Sequence, residues 1–232
     1  FRIIPRDFVK LNNGKVVIEI EEVGIGSDTL SFDEYVELRL MSLIIKITSA
    51  TPCYKSIFKF MQSYNVTIFD LVFSMLKNTH IASDNLQKFF EEFKRYTIDE
   101  LWDSGEELIQ HYQNPHEYEK LLNGSAGQNV AFYFHAIAIS EQMSDFTDFC
   151  IKTAKKLIEK NTDEDFSTEL NAVSEYCHGS CQNIFGEDRL KSNPEFLFEY
   201  DILTWMNTGV TSSLKSFKLN KKSKIKFSLT QE

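Results

Sequence analysis

The sequence predicts a mainly α protein of the α+β class, a helical bundle-like domain with a small sheet formed by its N- and C-terminal strands. Three observations predict it. Apolar residues recur at helical spacing through the middle of the chain. Ser, Thr and Pro stand where those stretches begin, at the positions that cap or open helices. Alternating apolar and polar runs are confined to the two ends. The 20 Phe among 232 residues favour large aromatic helix contacts, and a chain of this length can bury a substantial core.

Lys15 to Val23, K-V-V-I-E-I-E-E-V, alternate as a half-buried strand does and end at G-I-G-S-D-T. Ser31 then begins a helix, with Glu34 completing a capping box and Leu30 and Tyr35 spaced as a hydrophobic staple. That helix is expected to carry Tyr35, Leu38, Met41 and Ile45 inward as far as about Thr48. Its run V-E-L-R-L-M-S-L-I-I-K-I is apolar on more than one face. Thr51-Pro52 opens a second helix, with Tyr54, Ile57, Phe58 and Met61 at helical spacing. Asn65-Val66-Thr67 is a break, and Thr67 caps I-F-D-L-V-F-S-M-L. Ser83 caps a stripe of Leu86, Phe89, Phe90 and Phe93 that Tyr96 closes.

Thr97 and Glu100 are spaced as another capping box before L-W-D-S-G-E-E-L-I-Q. The glycines of N-G-S-A-G-Q-N break the chain again. The apolar run V-A-F-Y-F-H-A-I-A-I-S fits helix or strand by periodicity, and Ala131, Ala136 and Ala138 favour helix. Ser144 is expected to begin an amphipathic helix with a basic end, which suits the helix dipole, and a further helix is expected from about Asp163 through Phe185. The end changes character: E-F-L-F-E-Y and K-I-K-F-S-L-T alternate as strands around the short helical turn D-I-L-T-W-M-N. The expected organisation is residues 1–30 as an N-terminal strand and connector from a preceding domain, 31–190 as the helical domain, and 191–232 as a strand-helix-strand unit on that domain.

A formal charge of −9 argues against nucleic acid or an anionic membrane as partner. The lysines of the tail, Lys215, Lys218, Lys221, Lys222, Lys224 and Lys226, read as an edge strand guarded against strand addition, with a phosphate-binding patch as the alternative. No window approaches the roughly 20 apolar residues that span a bilayer, and F-R-I-I-P-R-D-F is no secretory signal. Without an initiating Met the chain reads as a piece of a longer protein. The four scattered cysteines suggest reduced thiols and a cytoplasmic setting.

Several segments resemble the region after the catalytic barrel in radical S-adenosylmethionine proteins, notably those with a cobalamin-binding-type N-terminal domain. Thr29, Leu30, Ser31, Asp33, Glu34, Tyr35 and Arg39 match that family's strand-to-helix turn. P-C-Y-K-S-I-F-K-F, N-G-S-A-G-Q-N-V-A-F-Y-F-H-A-I-A-I and F-E-Y-D-I-L-T-W-M resemble later elements of the same region. The resemblance implies a helical C-terminal region without its barrel, a non-catalytic accessory domain that covers the barrel and shapes the substrate pocket. The four-iron four-sulfur cluster and S-adenosylmethionine then belong to the parent, with cobalamin left open, and the chain itself carries no cofactor. The implied partners are the preceding barrel of the same polypeptide and a substrate of unspecified kind. Tyr35, Arg39, Tyr200, Asp201 and Trp205 are the candidate domain-interface or substrate-pocket residues, and capping and core packing are the plainer roles for the same side chains.

The alternative reading is an independent helical module that binds another protein through an apolar groove, without enzymatic activity. A third is a small redox or metal protein built on Y-C-H-G-S-C-Q-N. Cys177 and Cys181 have the first spacing of the family's C-x-x-x-C-x-x-C loop, but Ile184 stands where its third thiolate belongs. Zinc wants four ligands, and Cys177, His178 and Cys181 supply at most three. The sequence therefore assigns no catalytic and no metal-binding residue. The pairs Glu91-Glu92 and Glu106-Glu107 diverge by about 100° on a helix and read as solvated faces, His111 and His116 flank a turn, His135 lies in an apolar helix, and G-I-G-S-D lacks the third glycine of a dinucleotide loop.

Overall fold

The computed structural model describes residues 1–50, 52–181, 193–209 and 212–228. Among the described residues the chain is mainly helical with two small antiparallel sheets. It divides into two compact units, Phe1–Leu43 with Lys88–His135, and Ile44–Gln87 with Ala136–Glu232.

The first unit begins with a hairpin of β1 (Arg2–Lys10) and β2 (Val16–Val23). Its turn closes through Leu11 N–H to the Lys15 carbonyl at 2.9 Å, and Gly14 supplies the positive φ of 86° that the turn requires. The register slips between Pro5 and Asp7, a bulge placed beside the residue that has no N–H for the ladder. One face of the hairpin, with Ile3, Val16 and Ile18, packs on α5 (Gly105–Tyr112) and α6 (Pro115–Leu122) through Leu108, Tyr112, Tyr118 and Leu121. Helices α1 (Phe32–Ala50), α4 (Asp84–Asp99) and α7 (Val130–Ile137) enter this unit. Phe134 of α7 meets Phe89 and Phe93 of α4 at ring-centroid distances of 5.4 and 5.3 Å.

The second unit holds α2 (Lys55–Gln62), α3 (Ile68–Lys77), α8 (Met143–Ile158) and α9 (Ser167–Ser180). It also holds a second hairpin-like pair, β3 (Glu195–Tyr200) with β4 (Lys218–Lys226), and the short α10 (Ile202–Met206) between them. Tyr54, Ile57, Met61, Leu71, Phe146 and Trp205 are fully buried in this unit. Lys59 is buried as well and donates from Nζ to the carbonyls of Trp205 and Thr208, so its charge sits on the carbonyl end of α10, where a helix favours a cation. The lysines of β4 meet carboxylates across the ladder: Lys224 reaches Glu195 at 2.7 Å and Lys222 reaches Glu199 at 2.9 Å.

The mainly α reading with strands at both ends agrees with this architecture. The strands do not share one sheet, however, but form two separate two-stranded ladders. The reason is β1, which the alternation rule does not reveal because Pro5 interrupts it; it gives β2 a local partner across a short turn. The capping box at Ser31/Glu34 forms as the spacing predicts, and Thr67 caps α3 as expected, with Asp70 completing a box beyond that expectation. Thr97 and Glu100 do not form one: Thr97 lies buried inside α4, and the next helix starts at Gly105 under Ser104, whose Oγ accepts from Glu107 N–H at 3.1 Å. The amphipathic helix expected from Ser144, with its basic end, is α8; it begins one residue earlier, at Met143, where the π turn of Ala138–Gln142 leads directly into it. Of the residues expected inward on α1, Tyr35 is buried and Met41 half-buried, while Leu38 and Ile45 are exposed; Val36, Leu40, Leu43, Ile44 and Ile47 complete the buried stripe. The helix expected through Phe185 is α9, described as far as Ser180; Gln182 to Ser192, and the expected strand end at Leu229 and Thr230, lie outside the described residues. Among the described residues no helix is long and apolar enough to cross a membrane.

Candidate functional site

The first unit contains a cavity of about 160 Å³ whose lining includes four aromatic rings. Tyr96 comes from the last turns of α4, Trp102 from the connector after it, Tyr112 from the end of α5, and Tyr133 from the first turns of α7. Asp99 and Glu100 stand at the end of α4 on the same cavity, and the loop Ser125–Gln128 closes one side.

Local rules explain how each ring is held. Trp102 is fixed by its backbone, which exchanges hydrogen bonds with Ile3 of β1 at 2.9 and 2.8 Å, like a one-residue third strand. Tyr112 ends a helix whose apolar residues, four apart, both face the hairpin core. The chain then turns at Asn114, which caps α6, with Pro115 in the first helical position. Beyond α6, Ser125 and Ala126 donate N–H groups to the Lys120 carbonyl at 2.8 and 3.0 Å, and Gly124 and Gly127 take φ of 75° and 68°. Asn129 caps α7, accepting from Phe132 N–H at 3.1 Å, which starts the helix that carries Tyr133. The rings pair off: Tyr96 with Tyr133 at 6.1 Å and 28°, and Trp102 with Tyr112 at 6.0 Å and 57°.

The two carboxylates differ. Glu100 accepts from Arg39 Nη2 at 2.8 Å and its side chain is 15% exposed. Burial holds its carboxyl above the usual range, while Arg39 and then Arg6 pull the other way. Asp99 is exposed, and its side chain makes no hydrogen bond or ion pair among the described residues. Burial, and after it the charge of Glu117, pushes the Tyr112 phenol up, so the ring is a neutral phenol at physiological pH.

Of the five sequence-derived site residues, two belong to this unit. Arg39 reaches the cavity indirectly, through Glu100. Tyr35 is buried and stacks on Phe32 at 6.1 Å. The other three lie in the second unit. Trp205 is fully buried and donates from Nε1 to the Ser212 carbonyl at 2.8 Å. Asp201 caps α10, accepting from Thr204 N–H at 3.0 Å. Tyr200 is buried and lines a second cavity of about 170 Å³ between α9 and the β3–β4 ladder. Tyr96, Trp102, Tyr112 and Tyr133 were not singled out by the sequence as site residues. No sequence signal groups them, because 37 positions separate the first from the last.

All four cysteines lie buried in the second unit. The Cys177 thiol donates to the Cys53 carbonyl at 3.5 Å and lies 3.7 Å from the sulfur of Cys181. Burial pushes the Cys150 and Cys181 thiols well up, out of the reactive range. His178 leaves this group and pairs with Asp148 at 3.0 Å. No group of three or more His, Cys, Asp or Glu among the described residues is placed to hold a metal ion.

Compared with known proteins, the chain matches no family model, no curated protein and no solved structure.

Proposed function

We propose that the chain acts by binding, as a helical interaction module whose receptor element is the aromatic cavity of its first unit. The observation that carries this reading is the wall itself: four large rings from separate segments line one cavity, with Asp99, Glu100, Ser125 and Gln128 as its polar side chains. Ligand sites are typically concave, mostly apolar and furnished with few polar groups. Aromatic residues serve such sites because they bring large contact area with few rotatable bonds. The resemblance to radical S-adenosylmethionine proteins offers one partner for such a module, a barrel domain of the same polypeptide.

The test is a titration of the isotope-labelled full chain with a panel of small amines, carboxylates, alcohols and arenes, followed by amide shifts. Saturable shifts centred on residues 96–102, 112 and 125–133 support the reading. A panel that leaves those amides unmoved, or shifts only amides of the second unit, removes it.

A further inference from the structure

The geometry points to the class of ligand: we propose that the cavity of the first unit binds a quaternary ammonium group. The inference rests on the reading of that cavity as the binding element and adds the chemistry of the occupant. An indole and three phenols line the cavity, and the quadrupole of such rings attracts a cation, most strongly on Trp. A soft, weakly hydrated cation such as trimethylammonium gains most, since it also buries methyl groups against the rings. A cavity of about 150 Å³ takes up benzene, so 160 Å³ suits a group of trimethylammonium size.

Charge points the same way. Among the described residues no Lys, Arg or His lines the cavity, whereas Asp99 and Glu100 both do. Arg39 neutralises Glu100 in part, and Arg6 is engaged by Glu21. Asp99 has no cation of its own among the described residues. Arg95 lies over the Tyr96 ring at 5.3 Å, so that ring already takes part in one cation–π contact. A neutral apolar ligand would leave Asp99 beside it unpaired, and an anion would face both carboxylates. A quaternary ammonium complements rings and carboxylate together. It could come from a methylated lysine of a partner peptide or from a free choline-like molecule, and the shared chemistry is the same.

The experiment is calorimetric titration of the full chain with choline and with 3,3-dimethylbutan-1-ol, the uncharged carbon isostere, while fluorescence follows Trp102 above the constant signal of buried Trp205. The expected result is saturable choline binding at least ten-fold tighter than the alcohol, weakened several-fold in Asp99→Asn, a change at an exposed side chain that leaves the fold intact. Tyr133→Leu, at a partly exposed ring, is expected to weaken choline more than the alcohol. A trimethyllysine peptide that binds more tightly than choline, and than its unmethylated counterpart, supports the inference and assigns the source to a partner protein; choline at equal or higher affinity supports it with a free small molecule as source. Equal affinity for choline and the alcohol overturns the inference but leaves an apolar binding cavity standing. Binding of carboxylates or arenes with no ammonium response overturns it in the same way, and silence of every probe removes the binding reading too.

Discussion

Arg39 on α1 donates from Nη2 to Glu100 Oε1 at 2.8 Å, joining two residues 61 positions apart in a partly buried ion pair. The guanidinium side chain is 31% exposed and the carboxylate 15%, so removing one partner leaves the other poorly solvated. Arg39→Met is expected to lower stability by about 1.5–3 kcal/mol, the range for hydrogen bonds to charged groups. Urea unfolding measures it. Adding Glu100→Gln should recover part of the loss, because no charge is then left without a partner. Loss in the double variant equal to the sum of the two single losses would show that the pair does not couple.

The pH dependence of stability carries the sign of the Glu100 shift. Its folded pKa is raised, burial outweighing Arg39 and Arg6. Between the unfolded and folded values the native state binds more protons, so stability falls as pH rises through that window. The stability of the wild type relative to Glu100→Gln is therefore expected to decrease with rising pH just above the ordinary carboxylate range. A difference that grows with pH instead would mean that the guanidinium dominates.

The two positive-φ glycines beside the cavity separate backbone strain from crowding. At Gly124, with φ of 75°, an added Cβ meets nothing within 4 Å. Gly124→Ala is expected to cost about 1 kcal/mol, from the left-handed conformation alone. At Gly127, with φ of 68°, the Cβ would lie 2.6 Å from Cδ2 of Leu121, itself buried in the hairpin core. Gly127→Ala should add an overpacking cost of about 1–3 kcal/mol to the strain. Thermal unfolding of the two variants side by side checks the order, and equal losses would mean that Leu121 yields freely.

Thiol reactivity reports the second unit. Cys150 and Cys177 are fully buried, and Cys53 and Cys181 are 6% and 5% exposed. Under native conditions a disulfide reagent that releases a coloured thiolate is expected to react slowly. In urea all four cysteines should react at once. Rapid native labelling of two or more thiols would contradict a closed, apolar setting for the group.

Features set by short-range hydrogen bonds are legible in the order of residues alone. Ser31 with Glu34 and Thr67 with Asp70 lie three positions apart, so their capping boxes are complete within one turn of chain. The mainly helical class and the closing strand-helix-strand order follow from the same local patterns. The tertiary structure decided the rest, because those choices are contacts between distant residues. In α1, apolar on more than one side, only the neighbours select Leu40 and Ile44 for burial over Leu38 and Ile45. Pro5 hides β1 from any alternation rule, and pairing with β2 alone makes it a strand. Thr97 and Glu100 have the spacing of a cap, yet packing extends α4 past Thr97 and Arg39 takes the carboxylate. The cavity is the extreme case: Tyr96, Trp102, Tyr112 and Tyr133 share no sequence period, and chain folding alone sets their rings around one space.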